Sequence, residues 1–184
     1  MYPMIYPGQD GFLIRRPVRM INKQDDLEDL CHELRRENVI ALDVETTLTW
    51  KRLCLIQVAT AQWSAVIDVF ETDDLSPVFD VLADSSVEVI IHNARFERSV
   101  LGNLGCRITE VFDTLTASRR IRGYRIDGGH SLGAVCRREL EIYLDKQYQT
   151  SDWTRRPLSP AQINYAAMDA EVLIDLYEIF RSVR

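Results

Sequence analysis

The chain has 184 residues, which is enough for one domain with a substantial hydrophobic core. Hydrophobic residues make up 46% of it and charged residues 27%, a composition typical of soluble globular proteins, and no apolar run approaches the roughly 20 residues that a membrane helix needs. The formal net charge of −6 argues against a protein that holds nucleic acid by bulk positive potential, but not against one whose bound cations supply the attraction.

The N-terminal segment and the cysteines indicate the compartment. Residues 1–16 contain aromatic residues, Pro and Gly without the charged-then-apolar order of a signal peptide, so we expect an N-terminal arm followed by a single domain at residues 17–184. The four cysteines have no Cys-x-x-Cys spacing, which favours free thiols over a zinc site and predicts a cytoplasmic protein without membrane association.

Hydrophobic patterning predicts strands first and helices later. In chain order, the predicted elements are strand Val18–Asn22, helix Asp25–Arg36, strands Val39–Val44, Leu53–Thr60 and Ser64–Phe70, helix Leu75–Ala83 and strand Val87–Ile91. The apolar strands are expected to be covered on both faces, and helices dominate from Thr114 onward. This order predicts an α/β or α+β sheet domain with a helical C-terminal part.

Two acids, Asp43 within the predicted strand Val39–Val44 and Glu45 directly after it, lie where core residues are expected. Strand alternation places Asp43 and Glu45 on one face and the aliphatic residues on the other. Adjacent carboxylates in an apolar strand are costly unless they share a divalent cation. The alternative is that Asp43 lies at the exposed strand end and caps a turn through Thr46 and Thr47.

A second unusual acid lies in the last predicted helix. Ser159 to Gln162 form a capping box with proline at the first helical position, and the apolar stripe of the helix extends back to Tyr165 and Asp169. Asp169 therefore occupies a core-facing position one turn after Tyr165. Taken alone, the pair is also explained by a core tyrosine with an aspartate at the core edge.

A third acid, Glu97, follows the strand Val87–Ile91. Asn93 is a candidate N-cap, and Phe96, Val100 and Leu104 are expected to form the buried side of the next helix. A glutamate in a first helical turn also complements the helix dipole, so Glu97 has a purely structural explanation.

Asp113 before Thr114 is most simply an N-cap. The combination of strand acids, a helix-start acid and a late Tyr-x-x-x-Asp favours an all-oxygen site for Mg²⁺ or Mn²⁺.

These residues resemble the three motifs of the DnaQ-like 3′→5′ exonucleases of ribonuclease H fold. Asp43–Thr46 resembles the first motif, His92–Glu97 the second, and Tyr165–Asp169 the third in its tyrosine variant. Further segments resemble ribonuclease D specifically: Arg52–Gln57, Phe112–Leu115, Leu144–Lys146 and Ser151–Ser159. The resemblance extends from about Val18 to Tyr177.

The resemblance implies a mixed five-stranded sheet flanked by helices, and an enzyme that releases nucleoside 5′-monophosphates from the 3′ ends of single-stranded RNA or DNA. It implies two divalent cations. Asp43, Glu45 and Asp169 would hold one, Asp43 would bridge to the second, and Glu97 would bind metal directly or through water. Tyr165 would position the attacking water.

The resemblance assigns further residues to supporting roles. Asp113 is expected to contact the metal ligands without binding a metal ion itself. The expected substrate contacts are Thr46, Thr47, Leu48, His92, Asn93 and Phe96. Independently of the resemblance, the densest basic cluster of this acidic chain forms either a phosphate-guiding edge or a solvated helix end; it consists of Arg119, Arg120, Arg122 and Arg125.

The sequence departs from the family pattern in three places. Glu97 replaces the usual aspartate, and the loop from Glu45 to Arg52 is shorter than in typical ribonuclease D. We also expect a protein without the helical nucleic-acid-binding domains of ribonuclease D, since the sequence stops near Arg184. Affinity for structured RNA is therefore expected to be weak unless a homo-oligomer or a partner compensates.

Three functions stay open. The first is an exonuclease with RNA favoured, the second a DNA or short-oligonucleotide exonuclease, and the third a catalytically inactive version of the fold that binds nucleic acid or protein.

Overall fold

The computed structural model describes residues 16–183, so the expected N-terminal arm lies outside the described residues except for Arg16. The elements in chain order are β1 Val18–Ile21, α1 Gln24–Leu34, β2 Val39–Thr46, β3 Leu53–Ala59, β4 Ser64–Asp68, α2 Ser76–Ala83, β5 Glu88–Ile91, α3 Arg95–Gly102, β6 Glu110–Asp113, α4 Thr114–Arg122, α5 Leu132–Glu139 and α6 Pro160–Ser182. Among these helices, none is long and apolar enough to cross a membrane.

The strands form one mixed sheet in the order β1-β4-β3-β2-β5-β6. Strand β3 is antiparallel to both β2 and β4, and the outer pairings are parallel. The fold class is confirmed, but the expected count of five strands is wrong, because β6 adds a sixth. This strand has only four residues, its first residue is exposed, and Asp113 at its end also caps α4, so no strand pattern is visible in the sequence.

Helices cover the sheet on both faces. Strand β2 turns Ile40, Leu42 and Val44 towards the core that includes α1, α2 and α3. The opposite face of β2 lies against α6, where the small residues Ala41 and Ala59 allow the helix to pack on the sheet. All seven residues of β3 are buried, as expected for a strand covered on both sides. This packing holds α6 over β2 and β3, so a residue on either element can contribute to one site.

The predicted helix faces are confirmed for α1 and corrected for α3. Helix α1 buries Leu27, Leu30, Cys31 and Leu34, as the apolar pattern predicts. Asn93 is not an N-cap: it has a left-handed backbone with φ of 70°, and α3 begins two residues later without a side-chain cap. Leu104 lies beyond the end of α3 and is exposed, so its predicted burial is wrong.

The N-terminus of α6 is as predicted, and an ion pair anchors the segment that precedes it. Ser159 and Gln162 form the capping box with Pro160 at the first helical turn. The Arg156 guanidinium donates two hydrogen bonds to the carboxylate of Asp68 at the end of β4, and another to the carbonyl of Trp153 at 2.8 Å. Because Asp68 is almost fully buried, this pair ties the segment to the sheet.

We expect Arg156→Ala to lower the free energy of unfolding by about 3 kcal/mol, because it leaves the Asp68 carboxylate buried without its partner. Denaturant unfolding would measure the loss. Arg155→Ala is the control, since that neighbouring side chain is exposed. Equal stability of the two variants would contradict the anchoring role.

Candidate active site

Three carboxylates meet where α6 crosses β2. Asp43 and Glu45 project from the same face of β2, and Asp169 projects from α6. One carboxylate oxygen from each lies within 4.8 Å of the others. The prediction that alternation on β2 and the helical period of α6 direct these acids to one face therefore agrees with the geometry.

Glu97 lies beside this triplet in the first turn of α3 and is only 3% exposed. One oxygen of its carboxylate, Oε2, has no hydrogen-bond partner among the described residues. Burial, followed by the nearby charge of Asp43, raises the pKa of Glu97 to about 9. A buried carboxylate with an unpaired oxygen indicates that a further ligand belongs there.

Asp113 holds the chain that leads to Glu97. Its carboxylate accepts hydrogen bonds from the backbone N–H of Asn93 at 3.1 Å and of Ala94 at 3.2 Å. It also caps α4 through the N–H of Leu115 at 2.9 Å. With its oxygens occupied by backbone donors, Asp113 fixes the left-handed turn before α3 and does not join the carboxylate triplet.

Tyr165 lies one turn before Asp169 on α6. Its ring is buried between Trp153, at a centroid distance of 6.1 Å and an interplanar angle of 30°, and Tyr148, also at 6.1 Å. Burial and the nearby charges of Asp169 and Glu45 raise the pKa of its phenol far above the usual value. Tyr165 therefore stays protonated and can donate a hydrogen bond.

The carboxylate cluster is electrostatically uncompensated. Burial raises the pKa of Asp43, Glu45 and Asp169, and the neighbouring acids raise that of Glu45 further. Within residues 16–183, no lysine or arginine forms an ion pair with any of these acids. Repelling, half-buried carboxylates and a donor set made only of oxygen fit hard divalent cations.

The acids open into a cleft of about 680 Å³. Of the predicted substrate residues, His92, Asn93 and Phe96 line it, whereas Thr46, Thr47 and Leu48 do not. The opposite wall was largely missed by sequence reasoning; it includes Leu115, Arg119, Gly129, His130, Ser131, Leu132, Gly133, Leu144, Asp145, Lys146 and Gln149. The segment Leu144–Lys146 resembles a ribonuclease D segment in sequence, but its place in the cleft depends on how α5 packs.

Two histidines joined by a hydrogen bond, half-buried His92 and buried His130, shape this wall. The ring of His92 contacts the Thr114 hydroxyl at 2.9 Å through Nδ1 and the His130 carbonyl at 3.0 Å through Nε2. Burial lowers the pKa of His92, so its ring is neutral near pH 7. His130 is bound to Ser118 Oγ at 2.9 Å and to the Gly123 carbonyl at 2.9 Å. The pair therefore joins α4 to the segment before α5, and the neutral ring of His92 adds no positive charge to the cleft.

The predicted basic cluster does not act as one surface, because two of its arginines on α4 lie in different surroundings. Arg122 pairs with Glu139 of α5 through Nε at 3.0 Å and Nη2 at 2.7 Å, so it connects two helices. Arg119 lines the cleft and is the member of the cluster that can reach a phosphate there.

Gln57 is a buried polar residue that sequence reasoning did not single out. It is the cross-strand partner of Asp43 on β3, it is fully buried, and neither amide atom has a partner among the described residues. Cross-strand partners share a face of the sheet, so Gln57 lies next to Asp43 on the face that packs against α6. Its signal in the sequence was a glutamine within the apolar strand Leu53–Ala59.

Comparisons with known proteins agree with this geometry. A family model described as a 3′-5′ exonuclease matches residues 18–183. Ribonuclease D from Granulibacter bethesdensis is 36% identical over 167 residues, which cover 88% of this chain and 42% of that protein. The chain thus spans about two fifths of the length of the ribonuclease D relatives it matches.

Two solved structures have the same fold. Escherichia coli RNase D, an exoribonuclease involved in structured RNA processing, superposes with a TM-score of 0.81 at 28% identity, covering 90% of this chain and 44% of its own. Brucella melitensis NrnC with bound Mg²⁺ superposes with a TM-score of 0.76 at 27% identity, covering 90% of this chain and 80% of its own. The chain therefore belongs to the 3′-5′ exonuclease family.

Proposed function

We propose that this protein is a metal-dependent 3′→5′ exonuclease that releases nucleoside 5′-monophosphates from single-stranded nucleic acid, with RNA favoured. The observation that supports it best is the uncompensated triplet of Asp43, Glu45 and Asp169 at the base of an open cleft. RNA is favoured because ribonuclease D proteins are repeated among the relatives, at 36% and 32% identity.

The site residues fit a pair of Mg²⁺ or Mn²⁺ ions. Asp43, Glu45 and Asp169 would hold one ion, and Asp43 together with Glu97, whose Oε2 has no partner among the described residues, would serve the second. When bound, such ions supply an activated water and neutralise charge on the scissile phosphate. The Mg²⁺ seen in NrnC supports this choice.

The chain itself positions the reactants. The protonated phenol of Tyr165 orients the attacking water by hydrogen bonding, because its raised pKa prevents it from acting as a base. Phe96 lines the cleft close to Glu97 and offers a ring face to the terminal base, while Asn93 provides a polar contact. Both ring nitrogens of His92 are already engaged, so His92 offers the substrate only an edge of its ring. Thr46, Thr47 and Leu48 stay predicted contacts on the segment that leaves β2.

A second candidate function is the degradation of very short oligonucleotides. The structure of NrnC has also been solved with bound pGG. That chain is 28% identical to this one, and the match covers 80% of its length. A catalytically inactive fold is the least supported alternative, since all four acids and Tyr165 are present around one cleft. Cytoplasmic localisation and a homo-oligomer stay predictions.

The test uses 5′-labelled single-stranded RNA and DNA, from two to about 20 nucleotides, with Mg²⁺ or Mn²⁺. We expect wild type to produce a ladder of products shortened one nucleotide at a time, and Asp43→Ala or chelator to abolish it. The ratio of RNA to DNA rates and the length dependence choose between the candidates. Failure of folded wild-type protein to shorten any substrate would refute the proposal.

Glu97 is expected to tune metal use. Glu97→Gln should lower the rate about 10²-fold, the scale of losing one preorganised electrostatic group, because the neutral amide provides no anionic oxygen to a cation. Glu97→Asp should stay active but change its ratio of Mg²⁺ to Mn²⁺ rates, because the shorter side chain moves the carboxylate away from the triplet. Initial rates with each metal measure both effects, and unchanged rates in Glu97→Gln would exclude Glu97 from the site.

A further inference from the structure

A second concavity, of about 610 Å³, adjoins the cleft. Its defining side chains are Arg137, Arg138, Tyr143 and Lys146, and we call it the basic groove. The groove and the cleft share Ser131, Gly133, Leu144 and Lys146, so one passes directly into the other. A strand whose 3′ end lies at the acids can therefore continue into the basic groove without leaving the surface.

The charge of the basic groove differs from that of the whole protein. Three basic side chains and one acid, Asp127, line it, whereas the chain has a net charge of −6. Arg138 is held by Glu139, by the Gly129 carbonyl and by Ser118. Arg137 and Lys146, in contrast, are exposed and form no ion pair with a carboxylate of residues 16–183. Two cations are thus available to phosphates.

An aromatic ring lies beside these cations. The guanidinium of Arg137 stands 5.0 Å from the ring centroid of Tyr143. Tyr143 is 75% exposed, so the ring also presents a face to solvent. An exposed aromatic ring costs hydrophobic free energy unless a partner covers it, and alternating cations and rings are typical of grooves for single-stranded nucleic acid.

Other concavities with arginines do not meet the same conditions. One is formed around Arg120 beside α6, and the other around Arg95 and Arg98 on α3. Neither shares a lining residue with the catalytic cleft, and both include Asp113. Neither offers an exposed aromatic ring comparable to Tyr143.

We propose that the basic groove binds the nucleotides upstream of the 3′ end, with Arg137 and Lys146 contacting phosphates and Tyr143 stacking on a base. The inference rests on the proposed exonuclease function and specifies the substrate as a single strand longer than a dinucleotide. In a protein this acidic, such a groove would guide the anionic strand towards the cleft and away from the remaining surface.

The experiment compares initial rates on a single-stranded RNA of about 12 nucleotides with those on a dinucleotide of the same 3′ sequence. We expect wild type to have a lower KM for the longer strand. Tyr143→Ala should raise that KM about 10-fold and Arg137→Gln several-fold, with kcat unchanged. Neither change should affect the dinucleotide, which is too short to reach the groove. Arg137→Gln should also reduce the salt dependence of log KM by about 0.7 per lost phosphate contact.

Matched variants separate binding from structure. Tyr143→Phe retains the stacking ring and should have the wild-type KM. Arg36→Gln removes an exposed charge next to α1, outside the groove, and should also keep the wild-type KM. The inference is wrong if wild type gains no affinity with length, if the groove variants keep the wild-type KM, or if they impair the dinucleotide equally. A wild type that degrades neither substrate would instead refute the exonuclease function.

Discussion

Asp43→Asn will abolish nuclease activity and make the metal-free protein more stable. Activity should fall by about 10³-fold or more, because the amide cannot bridge cations and removing even one charge-stabilising group has a cost on this scale. Stability should rise because Asp43 is a half-buried acid whose pKa burial raises, and whose charge also raises the pKa of Glu45 and Glu97. A gain of about 1 kcal/mol would raise the Tm by roughly 2–4 °C.

Thermal unfolding in chelator and exonuclease rates in Mg²⁺ measure the two effects on one protein. Asp73→Asn is the matched control: the same change at an exposed aspartate between β4 and α2 should alter neither property. If Asp43→Asn lowers the Tm while the control does not, Asp43 stabilises the fold and the interpretation of a strained metal site is wrong. If the variant is as active as wild type, the site itself is wrong.

The half of the site that lies on regular elements could be predicted from the sequence. Asp43 and Glu45 follow from strand alternation, and Asp169 follows from the apolar stripe of α6, because both periods are local properties of the chain. Each acid alone also had a structural explanation. Only the packing of α6 across β2 brings the three oxygens within 4.8 Å, and no local pattern specifies that crossing.

The opposite wall could not be predicted in the same way. Gly129, Ser131 and Lys146 reach the cleft because α5 packs against α6 and places its N-terminus there. The segment after α5 contains exposed Tyr143 and several charged residues, and no local pattern in it indicates that it lines the cleft. Asn93 is likewise not the N-cap that the local sequence predicts, because its left-handed backbone accompanies a hydrogen bond to a carboxylate 20 residues later, at Asp113.

The buried carboxyl groups of the site lower the free energy of unfolding of the metal-free protein, and the size of this effect depends on pH. A carboxyl group whose folded pKa lies above its unfolded value binds more protons when folded, so its contribution to stability is complete below the unfolded pKa and is lost as pH rises through the folded value. Glu97 has a folded pKa of about 9 against an unfolded value of about 4.3. Metal-free protein should therefore lose stability between these values.

Between pH 7 and 8.5, two kinds of group change the stability of the metal-free protein: the acids of the site and the buried thiols. His92, whose pKa burial lowers, titrates below this window, and Glu139, with a pKa lowered mainly by its hydrogen bond from Arg122, contributes only in acid. Burial raises the pKa of the buried cysteine thiols, and because an unfolded thiol titrates at about pH 8.5, the thiols also reduce stability towards the upper end of the window. The part of the loss that Glu97→Gln removes is therefore assigned to the carboxylate cluster.

Between pH 7 and 8.5, metal-free wild type should lose about 2 kcal/mol of stability for each carboxyl group that stays protonated in the folded protein but is ionised in the unfolded chain. Glu97→Gln should lose less, because one titrating group is gone while the thiols are unchanged. Added Mg²⁺ or Mn²⁺ should raise the Tm more at pH 8.5 than at pH 7, since cations bind the deprotonated acids. Denaturant and thermal unfolding at both pH values measure these effects. A Tm that is independent of pH in chelator would show that the buried acids do not destabilise the fold. A metal effect that is larger at pH 7 would show that the cations do not bind the deprotonated acids.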